Sequence, residues 1–257
     1  MNLARRTAYA VILPVLLVAL WWALTLDSDS FFVPQPAPLA TTFVDTWFGE
    51  RFTTDVLPSL LRFTVGVSAA IVLGIGLGLV IGTLGWVRRL TEPLLEFFRA
   101  VPPPVLVPVL MVILGVSDSM KVAVIVSGSI WPVLLNTVEG VRSVDSVLSD
   151  TCRSYRIEGA NRFRFLVLRS ASPQIMAGIR QALSVGLILM VISEMFASSS
   201  GLGFTIVQFQ RSFAVDEMWS GIVVLGLIGV LLSVLFQLAE RRVLSWYYAQ
   251  REVQRGR

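Results

Sequence analysis

Six strongly apolar stretches of this chain hold no charged side chain: 8–26, 63–87, 100–116, 122–138, 181–193 and 218–239. A helix needs about 17–25 mainly apolar residues to cross a bilayer. In hydrocarbon the backbone has no water to bond, so it must satisfy its own polar groups. Only 15% of the residues are charged and the mean hydropathy is +0.75, against about 25% charged for a soluble domain. The expected fold is an all-α polytopic membrane protein with about six transmembrane helices. The spans are 8–26, 60–87, 93–116, 120–139, 180–198 and 218–239. A segment 27–59 outside and a cytoplasmic loop 140–179 complete a single transmembrane domain over 1–257. The fifth run is the shortest and is closed by Glu194.

Arg5 and Arg6 ahead of the first run also suit a secretory leader. That run is long for one, no small-residue cleavage site follows, and "LTLDSDSFF" reads as an exit into solvent. A retained first span is expected.

The chain has one cysteine, Cys152, and no histidine. An internal disulfide and a thiolate metal cluster are excluded. Zinc hydrolysis, histidine relays and Ser-His-Asp chemistry lose their usual residue. No catalytic or metal-binding residue is assigned, and an enzyme is not expected.

Loops rich in Lys and Arg stay on the cytoplasmic side. With both termini inside, sixteen of the 21 basic residues fall inside. The reverse orientation puts the two densest basic segments outside. Arg51, Arg62, Arg99, Lys121 and Arg211 are left outside or near span ends.

Retention accounts for the charge of the 140–179 loop but not for its length or order. "VRSVDSVLSDTCRSY" places Val144, Val147, Leu148, Cys152 and Tyr155 on one helical face. "EGAN" interrupts, with Gly159 suited to a turn. "RFRFLVLR" follows, and Pro173 suits the first turn of the next helix. The loop reads as helix, turn, helix at the cytoplasmic surface. An amphipathic hairpin resting on headgroups has the same pattern. A nucleic-acid partner is not expected of a basic segment tethered to a membrane.

This layout resembles the coupling loop of binding-protein-dependent ABC importer permeases, whose motif is roughly E-A-A, three residues, G, then an L-P pair. Asp150-Thr151-Cys152 falls on E-A-A, Arg156 on the glycine and Leu168-Arg169 on L-P. Pro173 and Gly178 match the segment that follows. "FFRAVPPPVLVPVLMVILGVSDSMK" and "SEMFASSSGLGFTI" resemble the nitrate, taurine and aliphatic-sulfonate branch, and the likeness covers about residues 60–245. The resemblance implies an alternating-access pathway built with a second permease subunit, for a small anionic or organic solute. Two cytoplasmic ATPase subunits drive it, and a solute-binding protein delivers from outside in a prokaryotic cell membrane. ATP and magnesium belong to the ATPases, and this chain binds no cofactor. It lacks the G-x-x-x-x-G-K-[ST] loop that would hold ATP. The residues it implies for ATPase contact are Asp145, Asp150, Thr151, Cys152, Arg153, Tyr155, Arg156, Glu158, Gly159 and Ala160. Arg156 in place of the glycine implies a changed turn, or one displaced to Gly159. It also points to a heteromeric permease pair or a dedicated ATPase.

Gly74, Gly78 and Gly82, with Gly66 in line, recur every four residues and suit close helix packing. Pro102, Pro103, Pro104 and Pro108 break a span and free carbonyls that need a partner or a wet cavity. They are pathway or gate candidates, with Glu194, Met195, Gly201 and Gly203. Glu194 equally fits a cap on "SSSGLGF" or an interfacial site in water. Trp21, Trp22, Trp47, Trp86 and Trp219 fall near span ends, where indole suits the interface. An ion-coupled secondary transporter is the alternative function, but no inverted repeat is visible and Glu194 is its one candidate acid.

Overall fold

The computed structural model describes residues 3–26, 30–196 and 198–255, and among them every regular element is helical. In order these are α1 (Leu3–Thr25), α2 (Pro36–Trp47), α3 (Leu57–Thr83), α4 (Gly85–Ala100), α5 (Leu106–Leu114) and α6 (Asp118–Arg142). They continue as α7 (Ser146–Ser154), α8 (Gly159–Arg162), α9 (Leu168–Phe196), α10 (Leu202–Arg211), α11 (Val215–Val243) and α12 (Ser245–Arg255). Two π-helical turns lengthen spans. Phe52–Val56 joins α3 into a helix of 32 residues, and Phe163–Val167 joins α8 and α9 into one of 38. The helix expected from residue 60 therefore begins at Phe52.

The centre is α6. Between Met120 and Val138 it has no exposed residue. Its start is set by Ser117, whose hydroxyl accepts the Met120 amide at 3.3 Å. One side meets α3 through glycines. A methyl carbon on Gly66, Gly74, Gly78 or Gly82 would lie 2.6–2.9 Å from Ile125, Val133, Thr137 or Val141. The pairs keep a constant offset, so α3 and α6 run in the same direction. Lipid gives apolar faces no hydrophobic reason to associate, and close backbone approach supplies the dispersion instead. On its other side α6 meets the antiparallel α9, where Gly178 packs on Pro132 and Val133. The outward apolar faces of α1, α5 and α11 suit lipid.

Among the described residues, four helices are long and apolar enough to cross a membrane, and five if the bent pair Gly85–Ala100 and Pro103–Leu114 counts as one. The span expected over 93–116, with prolines that break it, is that pair, bent by 77°. Each residue before a proline is pushed out of the α region, and Val101 and Pro102 take ψ of 118° and 121°. α4 itself is two-sided. Arg88, Arg89, Glu92, Glu96 and Arg99 lie opposite Trp86, Leu90, Leu94 and Phe97. Pro173 does not open a helix; it lies inside α9. Its missing N–H leaves the Arg169 carbonyl without a donor, and the Ser172 hydroxyl donates to it at 2.8 Å. Trp47 is not interfacial. It is 3% exposed and its Nε1 donates to Ser220 Oγ at 2.8 Å.

Candidate functional site

Two constellations stand out at opposite ends of the α6 bundle. The first is the α7 elbow. Asp145 is its N-cap, accepting the amides of Val147 and Leu148 at 2.7 and 3.4 Å. Its far end closes in a Schellman turn, with Ile157 N–H donating to the Cys152 carbonyl at 2.8 Å and Arg156 N–H to that of Arg153 at 3.0 Å. Arg156 takes φ +51° and Gly159 φ +57°. The turn is thus neither changed nor displaced. Arg156 adopts the left-handed conformation a glycine would, at roughly 1–2 kcal/mol, and Gly159 adds a second reversal. Arg162 Nη2 donates to Ser149 Oγ at 3.0 Å and ties α8 to α7.

The elbow leaves Val147, Leu148 and Tyr155 exposed by 70%, 51% and 77%. Asp150, Thr151, Arg153, Glu158 and Ala160 are also exposed. Asp150 and Arg153 pair at 3.8 Å, in solvent, where such a pair adds little. Cys152 is half-buried beside a groove of about 400 Å³ shared with Ile157, Phe165 and Trp246.

The second constellation is a buried charge cluster. Glu194 is 0% exposed. Arg62 Nη1 donates to its Oε1 at 2.8 Å, Ser59 Oγ lies 2.7 Å from the same atom, and the Gly203 amide donates to Oε2 at 3.0 Å. Arg62 Nε reaches Asp118 Oδ1 at 2.8 Å, and Lys121 Nζ approaches the same oxygen at 3.3 Å. Asp55 accepts the Gly201 amide at 3.0 Å and pairs with Arg51 at 3.6 Å. Three acids thus meet three bases. Asp118 and Arg51 stay exposed by 69% and 40%, so the cost of several kcal/mol for an unpaired buried charge falls on Glu194, Arg62, Lys121 and Asp55.

The cluster pins the loop between α9 and α10 onto the starts of α3 and α6. Gly201 has φ +114°, and a methyl carbon there would meet the Glu194 carboxylate at 2.5 Å. Glu194 is therefore enclosed and fully partnered, without an oxygen free for a solute; of its sequence readings, the cap on "SSSGLGF" describes its position. Gly203 packs on the Val191 carbonyl, and Met195 is 43% exposed on the outside of α9. Pro102, Pro104 and Pro108 are exposed, while Pro103 packs on Gly128 of α6. Of the gate candidates, Glu194, Gly201 and Gly203 thus meet at the charge cluster, while Met195 faces outward and the four prolines lie in or just past the bend between α4 and α5. Sequence reasoning missed Asp55, Ser59, Arg62, Asp118 and Lys121. The available signals were two basic residues inside expected spans, Arg62 in 60–87 and Lys121 in 120–139.

Residues 70–245 match the family described as binding-protein-dependent transport system inner membrane component. The putative aliphatic sulfonates transport permease protein SsuC of Bacillus subtilis is 29% identical over 92% of this chain and 86% of its own. The taurine transport system permease protein TauC of Escherichia coli is 28% identical over 95% and 92%. The nitrate import permease protein NrtB of Synechocystis is 28% identical over 87% and 84%.

Proposed function

The chain belongs to the binding-protein-dependent transport system inner membrane components, and we propose from that premise how this ABC importer permease works. It pairs with a second permease subunit to enclose an alternating-access pathway, both termini in the cytoplasm. Two ATPase subunits seat on the paired α7 elbows, and their closure swings the bundles between inward- and outward-facing states. A solute-binding protein delivers from outside. The similar sulfonate, taurine and nitrate permeases suggest a small anionic or organic solute for this chain. ATP and magnesium stay on the ATPases.

The observation that carries this reading is the build of α7. It is capped at both ends and hung between α6 and α9, the two helices that form the centre of the bundle. A push on a stiff, short helix with rigid connections is not absorbed by flexing. Val147, Leu148 and Tyr155 stand exposed among the described residues and offer the ATPase an apolar footing. Thr151 and Cys152, bulkier than the alanines of the family pattern, favour a dedicated ATPase or an unlike permease partner over an interchangeable set.

The test is copurification from the native membrane. An ATP-hydrolysing subunit is expected with the wild-type chain, and Val147→Glu with Leu148→Glu is expected to release it while the permease still elutes as a folded species. Intact complexes without a nucleotide-hydrolysing chain, or with one seated away from α7, overturn the reading.

A further inference from the structure

A charged side chain at bilayer depth persists only where water, a counter-charge or another protein surface meets it. Arg180 poses that problem outside the cluster at Glu194. It follows Gly178, which packs on Pro132 and Val133 near the middle of α6. Its side chain is nevertheless 57% exposed. One guanidinium nitrogen bonds Glu240 of α11, and the group lies 5.7 Å from the Phe236 ring centre. Ser184 of α9 and Ser233 of α11 line a small recess with it. Gln237 Nε2 approaches Ser233 Oγ at 3.5 Å, and Gln181 is exposed one position from Arg180.

The two outward faces of α11 differ. Leu227, Leu231 and Leu238, exposed by 55–59%, suit acyl chains. The other face carries Gly226, Ser233 and Gln237, exposed alongside Ile222 and Val230. Near the Arg180–Glu240 pair, Gln181 and Ser184 of α9 and Ser233 and Gln237 of α11 make an exposed polar patch that acyl chains do not satisfy. We propose that Arg180, Gln181 and Ser184 of α9, with Ser233 and Gln237 of α11, form a wall of the translocation pathway that selects for anions. Glu240 holds the guanidinium in place and occupies part of its donor set. The remaining N–H groups suit the paired oxygens of a sulfonate or carboxylate. A permeant anion competes with Glu240 for Arg180. The proposal rests on the transport reading above and deepens it to a position and a charge.

Cys152 is the sole cysteine, and the otherwise wild-type chain that keeps it gives the background labelling to be subtracted. In that chain, within the assembled complex in membranes, Ser184→Cys and Ser233→Cys are exposed to two water-soluble thiol reagents, an ethylsulfonate and an ethyltrimethylammonium methanethiosulfonate. Rates are divided by those of free cysteine. Both positions are expected to react, while Leu231→Cys and Leu238→Cys stay silent. At low salt the anionic reagent is expected to be favoured about threefold or more, as for a partly neutralised unit charge ~6 Å away. Arg180→Gln removes the preference, Arg180→Lys keeps it, and Glu240→Gln raises it. Silent cysteines at 184 and 233 overturn the wall. Reactive cysteines whose preference ignores residues 180 and 240 overturn the anion selectivity. A missing ATPase sinks the importer mechanism but leaves this labelling pattern intact, so the two failures are distinguishable.

Discussion

Gly201→Ala separates the two demands that the buried charge cluster makes on its loop. The backbone there has φ +114° and ψ 162°, a region that is essentially glycine's own. Alanine in it costs about 1–3 kcal/mol. The added methyl would also sit 2.5 Å from the Glu194 carboxyl carbon and 2.5 and 2.7 Å from its oxygens. Ordinary contact begins near 3.4 Å, so the carboxylate must move by about 1 Å, further than its hydrogen bonds to Arg62, Ser59 and Gly203 can stretch. Losing a buried ion pair costs about 3–5 kcal/mol. Taking the low end of both gives about 4 kcal/mol. At ~2–4 °C per kcal/mol for a chain of this size, Tm falls by about 8–16 °C. The assay is thermal unfolding in mild detergent followed by tryptophan fluorescence. Gly76→Ala is the control, because nothing lies within 4 Å of its added methyl; it is expected to hold or raise Tm. Glu194→Ala is destabilising by itself, but adding Gly201→Ala to it should cost only the backbone share. A Gly201→Ala protein that melts within about 2 °C of wild type, or one penalised equally in both backgrounds, refutes the reasoning.

Arg156→Gly relieves a left-handed arginine and should stabilise the elbow by about 1 kcal/mol, seen as slower amide exchange at Arg156 and Ile157. Asp145→Ala removes the α7 cap and costs about 1 kcal/mol locally; faster exchange at Val147 and Leu148 and weaker ATPase retention on a column report it. Ser172→Ala strands the Arg169 carbonyl beside Pro173 and should lower stability by about 1 kcal/mol. The same change beside Pro173→Ala should cost less, because the restored N–H serves that carbonyl. Gly78→Ala drives a methyl against Thr137 and should lower Tm through about 1–3 kcal/mol of overpacking, while Gly78→Ala with Thr137→Ala recovers part of the loss.

Much of the architecture can be read along the chain. The glycines at 66, 74, 78 and 82 mark a close-packed face because residues four apart stack on one side of a helix. The helix-turn-helix of 144–167 follows from apolar spacing and Gly159. The bend near Pro102 was half visible: prolines announce a break, but its angle depends on what Pro103 finds on α6. Pro173 misled, because its usual place is a first turn and the Ser172 hydroxyl that keeps it inside a helix is a local rescue. Arg156 misled in the opposite way, since the motif needs a left-handed residue and arginine can be held there by two backbone hydrogen bonds.

Membrane residence and helical class were legible in the amino-acid string alone, because they depend on runs of apolar side chains. The partners of Glu194 were not. Ser59 and Arg62 lie 135 and 132 positions away, and the pull between opposite charges acts through space, so only the folding of α3, α6 and α9 against one another could bring them together.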